Sequence, residues 1–526
     1  MKHISDAADA YASAPLLNCL LQEVADHVGG GAYRLRATGR LLRTSGGRRP
    51  VRPELRTARG WRPVGHAELI KITAEELYRL TGVPNGELPV EMADSRHAVA
   101  ALLAARAGAA APEDPYLRSE QALVMGHPCH PAPKTRGGGP ASRWLPYAPE
   151  AHASFPLEFL AVREDQAAEE GGRPAADAVD GLSDLLNGPA APRGYRLLPA
   201  HPWQFALVSG APEIREALAD GRLIRLGRSG GHVHPTASVR TVHVPGRGGA
   251  ADLFVKFSLD VRITNDVRRL WRHDLLALRE TDAAVTAAFA GLRTAPGQEA
   301  GREAGRDGAP AAWLSDRGYR TAAFAFEELA VLVRDGLRQH LLPGTTPLLA
   351  ASLAEGFSGG PLDGLPDPVA WWVAYLRRVL PPVLDVYARD GVVVEAHLQN
   401  TLIALDPAGL PAQALFRDAE GVKRLPAVTR EAGWQRLVYC LFVNHLTEIA
   451  AALAARHPRA AGSLWPAVRR ELLRYRAGNP LPEIDALLAA PTLPGKTNLL
   501  LRWTGADGAD ARYLPLPNPL LASTMR

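Results

Sequence analysis

"FVKFSLDVRITNDVRRL", residues 254–270, opens as a buried strand and closes as the start of a helix. Alternate side chains of a strand share a face. Val255, Phe257 and Leu259 then enter a core, and Phe254, Lys256 and Ser258 lie on the other side. Thr264 or Asn265 is suited to cap the following helix, with Thr264 and Arg268 one turn apart on one face. A helix N-terminus flanked by an arginine and facing a strand lysine is an anion site. On these residues alone, a surface strand with an ion-paired lysine and an ordinary cap is an equal alternative.

Upstream, "HPTASVRTVHV" (234–244) puts Ser238 and Arg240 on one face, with Thr241 adjacent. Paired with 254–258 as a hairpin, it brings Arg240 to Lys256 and Arg268. Three cations and one Mg²⁺ balance the about four negative charges of a nucleoside triphosphate. Only six of the 60 basic residues are Lys. Against so Arg-rich a background, a lysine inside a polar motif marks a place where a compact ammonium is wanted.

Downstream, "EAHLQNTLIAL" (395–405) holds Glu395, His397 and Gln399 at period two, with Asn400 next. A strand this apolar rarely carries four polar residues without a use for them. "ALFRDAEG" (414–421) ends a second apolar strand in Asp418. Glu395 and Asp418 are hard oxygen donors suited to Mg²⁺. "GHPCHPAPKTRGG" (126–138) gathers His127, His130, Lys134 and Arg136 in a Pro/Gly loop. His127, Cys129 and His130 lack the usual zinc spacing and a second ligand pair. A mobile basic loop closing over phosphate is the better reading.

The 526 residues exceed one compact core and suggest two or three domains. Apolar spacings of three and four predict helices over 1–30 and 66–110, with the Gly/Pro-rich 44–63 between them as loop. Residues 222–268 read as short strands, and most of the chain from 321 reads as helix. Residues 164–194 look like an exposed insertion and 297–312 like a low-complexity linker. The class is α+β rather than alternating βαβ. No P-loop or dinucleotide fingerprint follows a strand. The three cysteines are far apart and indicate no disulfide framework. A net charge of +5 without a basic block suits an anionic small molecule at least as well as nucleic acid. With no apolar run of about 18 residues and no signal-peptide core at its start, a cytoplasmic protein is expected.

In this order, "GHPCHPAPKTRGG", "LPAHPWQF", "SVRT", "KFSLDVRITNDVR", "EAHLQNTLIAL", "LFRDAEG" and "GKTNLLLRW…LPLPNPLL" resemble the NRPS-independent siderophore synthetases, the aerobactin-synthetase-like family. The resemblance spans roughly 120–520. It implies a cupped-hand α+β fold: a helical thumb over 1–120, β-rich fingers over 121–320 and a mainly helical palm over 321–526. It implies an ATP- and Mg²⁺-dependent ligase. A carboxylate, of citrate or a related acid, is adenylated with loss of pyrophosphate. An amine, hydroxylamine or alcohol then displaces AMP. By motif, Ser238, Arg240, Thr241, Lys256, Asn265 and Arg268 hold the nucleotide, and His130, Lys134 and Arg136 approach it from the loop. Thr264, Arg268, His397, Gln399 and Asn400 hold the acid. Lys256, Arg268 and His397 serve the chemistry, and Glu395 and Asp418 hold the metal. The implied partners are small molecules, with no nucleic acid or membrane, and a homodimer is compatible.

Two rivals remain at this stage. "AHLQN…LFRDAEG" loosely matches a kinase catalytic loop, but Gln399 stands where the Asp base belongs, and an amide cannot accept the proton. A non-catalytic anion-binding protein would explain the basic residues but not Glu395 with Asp418.

Overall fold

The computed structural model describes residues 2–292, 311–506 and 513–521, apart from Gly138 and Asn265. The expected linker at 297–312 therefore lies almost wholly outside the described residues, as does the call on Asn265. Helices and sheets are both extensive, and the α+β class stands.

Helices Lys2–Glu23, His66–Thr81 and Glu87–Ala107 share a core with a five-stranded antiparallel meander running from Ala25–Gly29 to Gly60–Pro63. The segment expected to be loop at 44–63 is the end of this meander. Only one face of the sheet is covered. Leu35 and Leu42 are buried, while Arg34 and Arg56 point to solvent. Its Gly- and Pro-containing turns broke the alternation a strand needs to be recognised. The helix Asn498–Thr504 returns to this region, placing Leu499 and Trp503 in its core. Glu23 receives the N–H groups of Leu499 and Leu500 at 2.8 and 2.9 Å and so caps that helix.

The middle of the chain builds a six-stranded antiparallel sheet. Its order is His234–Pro235, Thr241–Val244, Leu253–Phe257, Val331–Asp335, Asp316–Ala322 and Ala167–Glu170. Val255, Phe257, Val331 and Val333 pack on one side with Phe159 and Leu198. Phe254 packs on the other with Leu314, Leu402 and Leu415. The presumed insertion at 164–194 belongs to this layer: it supplies an edge strand and buries Val179, Leu182 and Leu186.

The opening stretch is corrected. After Ser258 the chain forms a small hairpin, Leu259–Ile263 with Asp266–Arg268, and the helix starts only at Arg272. Val261 and Ile263 are β-branched and buried, which favours the strand. Ser258 Oγ accepts the N–H of Leu270 at 2.9 Å and ties off the hairpin.

The C-terminal half packs a four-stranded sheet, Ala312–Leu314, Pro411–Arg417, Thr401–Leu405 and Thr346–Leu349, against the helix Pro368–Asp390. Asp367 caps that helix by accepting from Val369 and Ala370, Pro368 occupies its first turn, and Gly391 ends it in the left-handed region. Residues 430–456 form one long apolar helix with a π-helical segment, Tyr439–Leu446. By length and composition it could cross a bilayer, but 78% of its most apolar window is buried inside the protein, as in a core helix.

Candidate active site

Directly opposed residues of an antiparallel pair share a face. Thr241 opposes Lys256, and Phe254, two residues before Lys256, opposes Arg334. Thr241, Lys256 and Arg334 therefore project from one side of the large sheet. They meet the turn that follows the strand Pro411–Arg417. Lys256 Nζ donates to Asp418 Oδ1 and to Glu420 Oε2, each at 2.6 Å. Arg334 joins Asp418 at 2.9 Å and is itself held by Asp316 at 2.6 Å. These cations hold the Asp418 and Glu420 carboxyls below the usual carboxylate range.

Ser238 and Arg240 lie in a tight turn rather than on the strand, which starts at Thr241. Ser238 Oγ accepts the Thr241 N–H at 3.2 Å. Arg240 donates to the carbonyls of Arg268 and Arg269 at 3.0 and 2.8 Å and to Glu420 at 3.0 Å. Arg268 donates to Ile263 O at 2.6 Å and Thr264 Oγ1 at 2.5 Å. Among the described residues no carboxylate pairs with it. Desolvation and the neighbouring Arg240 bring its pKa down to about 10. A desolvated guanidinium beside another guanidinium is complementary to an anion.

Residues 394–400 form an irregular turn, not the strand expected; the strand begins at Thr401. Period two therefore does not align Glu395, His397 and Gln399. His397 Nδ1 accepts the Gln399 N–H at 3.3 Å, which leaves the proton of the neutral ring on Nε2. Burial lowers its pKa and favours that neutral form. Glu395 is turned to Arg436, with Nε to Oε1 at 2.8 Å, and packs on Gly421; a Cβ there would stand 2.5 Å from Glu395 Oε2. Glu395 and Asp418 thus flank one turn, and only Asp418 reaches the cavity wall.

The basic loop is packed rather than free. Asp94 receives Thr135 Oγ1 at 2.6 Å and the Arg136 N–H at 3.1 Å, and Ser95 receives the Lys134 N–H at 3.0 Å. Lys134 and Arg136 both donate to Glu150 Oε1. Glu150 is driven down to about 2 by these two cations against the penalty of burial. Gly126 has φ 79°, and a Cβ there would stand 2.8 Å from Lys134 Cε, so the loop needs glycine at that point.

These elements surround a cavity of about 320 Å³. Its wall includes Lys134, Arg136, Ser238, Arg240, Thr241, Lys256, Thr264 and Arg268, together with His397, Gln399, Asn400 and Asp418. His130 and Glu395 are not on it; His127 is. His130 is buried, and its Nδ1 accepts the Ala132 N–H at 3.1 Å. The wall carries twice as many basic side chains as carboxylates, which selects for an anionic occupant. Among the described residues no group of three or more His, Cys, Asp or Glu is placed to hold a metal. A divalent ion carried on phosphate needs only one or two carboxylates, and of this cluster Asp418 is the carboxylate on the cavity wall.

Three of the non-glycine residues with positive φ line this cavity: Val239 (68°), Thr264 (59°) and Asp418 (84°). Such conformations cost of order 1–3 kcal/mol each and collect at functional sites.

Several residues of the wall and of its support escaped the sequence reading; Arg334 and Arg417 line the cavity, and Glu420 and Glu120 stand behind it. Arg334 had a usable signal, a charge within the apolar "VLVRD". Glu420, two residues after Asp418, had another. Arg417 and Glu120 had none that was local. Glu120 accepts Arg417 at 2.7 Å, Tyr116 OH at 2.8 Å and the Ala237 N–H at 3.0 Å, fully buried. Glu120→Ala would strand the Arg417 guanidinium in the interior. It should lower unfolding free energy by about 3–5 kcal/mol, read as a shifted urea midpoint.

The sequence profile of the IucA / IucC family matches residues 115–355, and that of a ferric iron reductase FhuF-like transporter matches 369–511. The L-2,3-diaminopropanoate–citrate ligase of Staphylococcus aureus is 31% identical over 449 residues, covering 78% of this chain and 75% of the relative. The rhizobactin siderophore biosynthesis protein RhbC of Rhizobium meliloti is 28% identical over 96% of both chains. The solved structure of ATP-bound aerobactin synthetase IucA from Klebsiella pneumoniae superposes with a TM-score of 0.78 at 24% identity, covering 98% of this chain and 100% of that one. At that identity the likeness speaks for the fold.

Proposed function

The chain belongs to the IucA/IucC family of siderophore synthetases, and from that premise we propose that it is an ATP-dependent ligase that adenylates a carboxylate of citrate, or of a related di- or tricarboxylic acid, and transfers the acyl group to an amine, hydroxylamine or alcohol. The observation that carries this reading is Arg268: a desolvated cation beside Arg240 that, among the described residues, forms no salt bridge with a carboxylate, on the wall of a cavity rich in cations. Relatives named as citrate ligases and siderophore biosynthesis proteins support it.

In this reading Ser238, Arg240, Thr241 and Lys256 bind the phosphates, with Lys134 and Arg136 behind them and His130 holding the loop's shape. Thr264, Arg268, Gln399 and Asn400 orient the acid so that one carboxylate oxygen faces the α-phosphorus. In-line placement and charge compensation are most of what this step requires. The His397 Nε2–H is a neutral donor to oxygen at the reacting centre. Asp418, flanked by Glu395 and Glu420, would hold Mg²⁺, whose chemistry there is to offset charge on the departing pyrophosphate. Lys256 and Arg268 stabilise the same charge from the protein side. The acceptor nitrogen or oxygen then attacks the acyl carbon and AMP leaves. ATP as substrate suits a cytoplasmic enzyme.

Product analysis tests the reaction class. With Mg-ATP, citrate and a panel of amines, the ligase releases AMP and pyrophosphate in step with amide or ester. ADP would instead identify a phosphotransferase, and no turnover an anion-binding protein.

A further inference from the structure

Behind the cavity wall, one buried carboxylate joins its two sides. Glu120 ends the helix Pro115–Glu120 and is fully buried. Its Oε2 accepts the N–H of Ala237 at 3.0 Å, and Ala237 leads into the turn that carries Ser238 and Arg240. Its Oε1 accepts Arg417 Nη1 at 2.7 Å and the Tyr116 hydroxyl at 2.8 Å. Arg417 carries the connection onward. Its Nε and Nη2 donate to Gln399 O at 3.2 and 2.9 Å, and its main-chain N–H donates to Asn400 O at 3.1 Å. A single carboxylate thereby ties the turn at 236–240 to the turn at 397–400.

Neither turn is held by a regular ladder. Val239 has φ 68°, which a β-branched residue avoids. Residues 394–400 lie outside any strand, and the Gln399 carbonyl takes two donors from the Arg417 side chain instead of a strand partner. Against the penalty of burial, the Glu120 carboxylate keeps the Arg417 pKa above its ordinary value, so this clamp stays charged.

The pairs Arg240–Glu420 and Lys256–Asp418 also span the two sides. In the ligase reading those groups turn to phosphate and Mg²⁺ when substrates bind. Glu120 stands behind the wall and is given to neither substrate, so its contacts remain in place while the others are exchanged.

We propose that Glu120, acting through Arg417, is a positioning residue for adenylation. It sets the carboxylate oxygen held at Gln399 and Asn400 in line with the α-phosphorus of the nucleotide held at the 236–240 turn. In that step the oxygen bonds to phosphorus while the bond from phosphorus to the pyrophosphate oxygen breaks. A misplacement of about 1 Å costs about 10²-fold in such a step. The proposal rests on the ligase reading, and the two can fail separately.

The test uses the full chain and citrate-dependent ATP–pyrophosphate exchange. Values of kcat and KM are measured for ATP and for citrate, and each rate is divided by the folded fraction from urea titration. The main variant is Glu120→Gln combined with Arg417→Met. Glutamine keeps an oxygen for the Ala237 N–H and no charge is stranded, but Gln399 O loses its two donors. The kcat should fall by about 30-fold or more, while both KM values change by less than about threefold. Arg417→Lys keeps the ion pair with Glu120 and offers Gln399 O one ammonium, so it should recover part of kcat. A pair that only supports the fold would lower the urea midpoint and leave kcat per folded molecule at the wild-type level; that result overturns the proposal. A rise in either KM at unchanged kcat overturns it as well, because the pair would then serve binding. So does failure of both variants to fold without denaturant, which would make the pair a stability element alone. Absence of exchange in the wild type with citrate and with related di- and tricarboxylic acids overturns the ligase reading, and the positioning role with it.

Discussion

Lys256→Ala is expected to reduce citrate-dependent ATP–pyrophosphate exchange by about 10³-fold and to destabilise the protein at neutral pH. Seen only in sequence, Lys256 is a phosphate ligand whose loss should hardly affect folding. Its contacts imply otherwise. Its ammonium is buried and bridges Asp418 and Glu420. Without it two carboxylates face each other with only Arg240 and Arg334 to compensate. Breaking such a cluster by deleting one partner costs about 3 kcal/mol or more.

The pH dependence follows from the same contacts. Both carboxyls are held below their unfolded values by Lys256 and the neighbouring arginines. The stability they contribute is present above the unfolded carboxylate range, near pH 4, and is lost as pH falls through the depressed folded values. The gap in melting temperature between wild type and Lys256→Ala should therefore be full at pH 7 and narrow in acid. A constant gap would show that the ion pairs do not set the cost. Asp418→Asn with Glu420→Gln in the Lys256→Ala background should recover stability without recovering exchange.

Legibility in the sequence followed the range of the interactions. Lys256 was readable because a lone lysine interrupts an apolar strand of an Arg-rich protein. Pairing of 241–244 with 253–257 was readable because both runs have the right length and β-branched content. The 259–268 hairpin was not. Thr264 adopts φ 59°, a conformation β-branched residues avoid, so local preference argued for a helix cap. What holds the hairpin is nonlocal: Ser258 on Leu270, and Arg240 on the carbonyls of Arg268 and Arg269. The turn at 394–400 failed for a related reason. Three polar residues at strand spacing look like one face, yet His397 binds the backbone two residues on and bends the chain. Glu120, joined to Arg417 across nearly three hundred residues, had no local trace.

Arg268→Met should behave as the counterpart of Lys256→Ala: exchange falls by at least about 10²-fold, while stability stays within about 1 kcal/mol of wild type or rises. Arg268 gives up only neutral hydrogen-bond acceptors, Ile263 O and Thr264 Oγ1, and among the described residues no carboxylate is salt-bridged to it, Glu420, Asp266 and Asp418 acting on it only from a distance. Its guanidinium is already disfavoured by desolvation and by Arg240, which is why its pKa is drawn down to about 10. Keeping it charged at neutral pH therefore opposes folding, and an apolar side chain of similar length removes that opposition. An anionic substrate does the same for the wild type. Citrate with ATP should raise the melting temperature of the wild type in proportion to occupancy and leave that of Arg268→Met nearly unmoved. If Arg268→Met melts well below the wild type, Arg268 holds the hairpin together instead. If it keeps its citrate-dependent thermal shift, the carboxylate is bound elsewhere. The pair of variants thus separates two kinds of cation on one wall: Lys256, whose partners in the fold are carboxylates, and Arg268, whose partner in the proposed reaction is the substrate carboxylate.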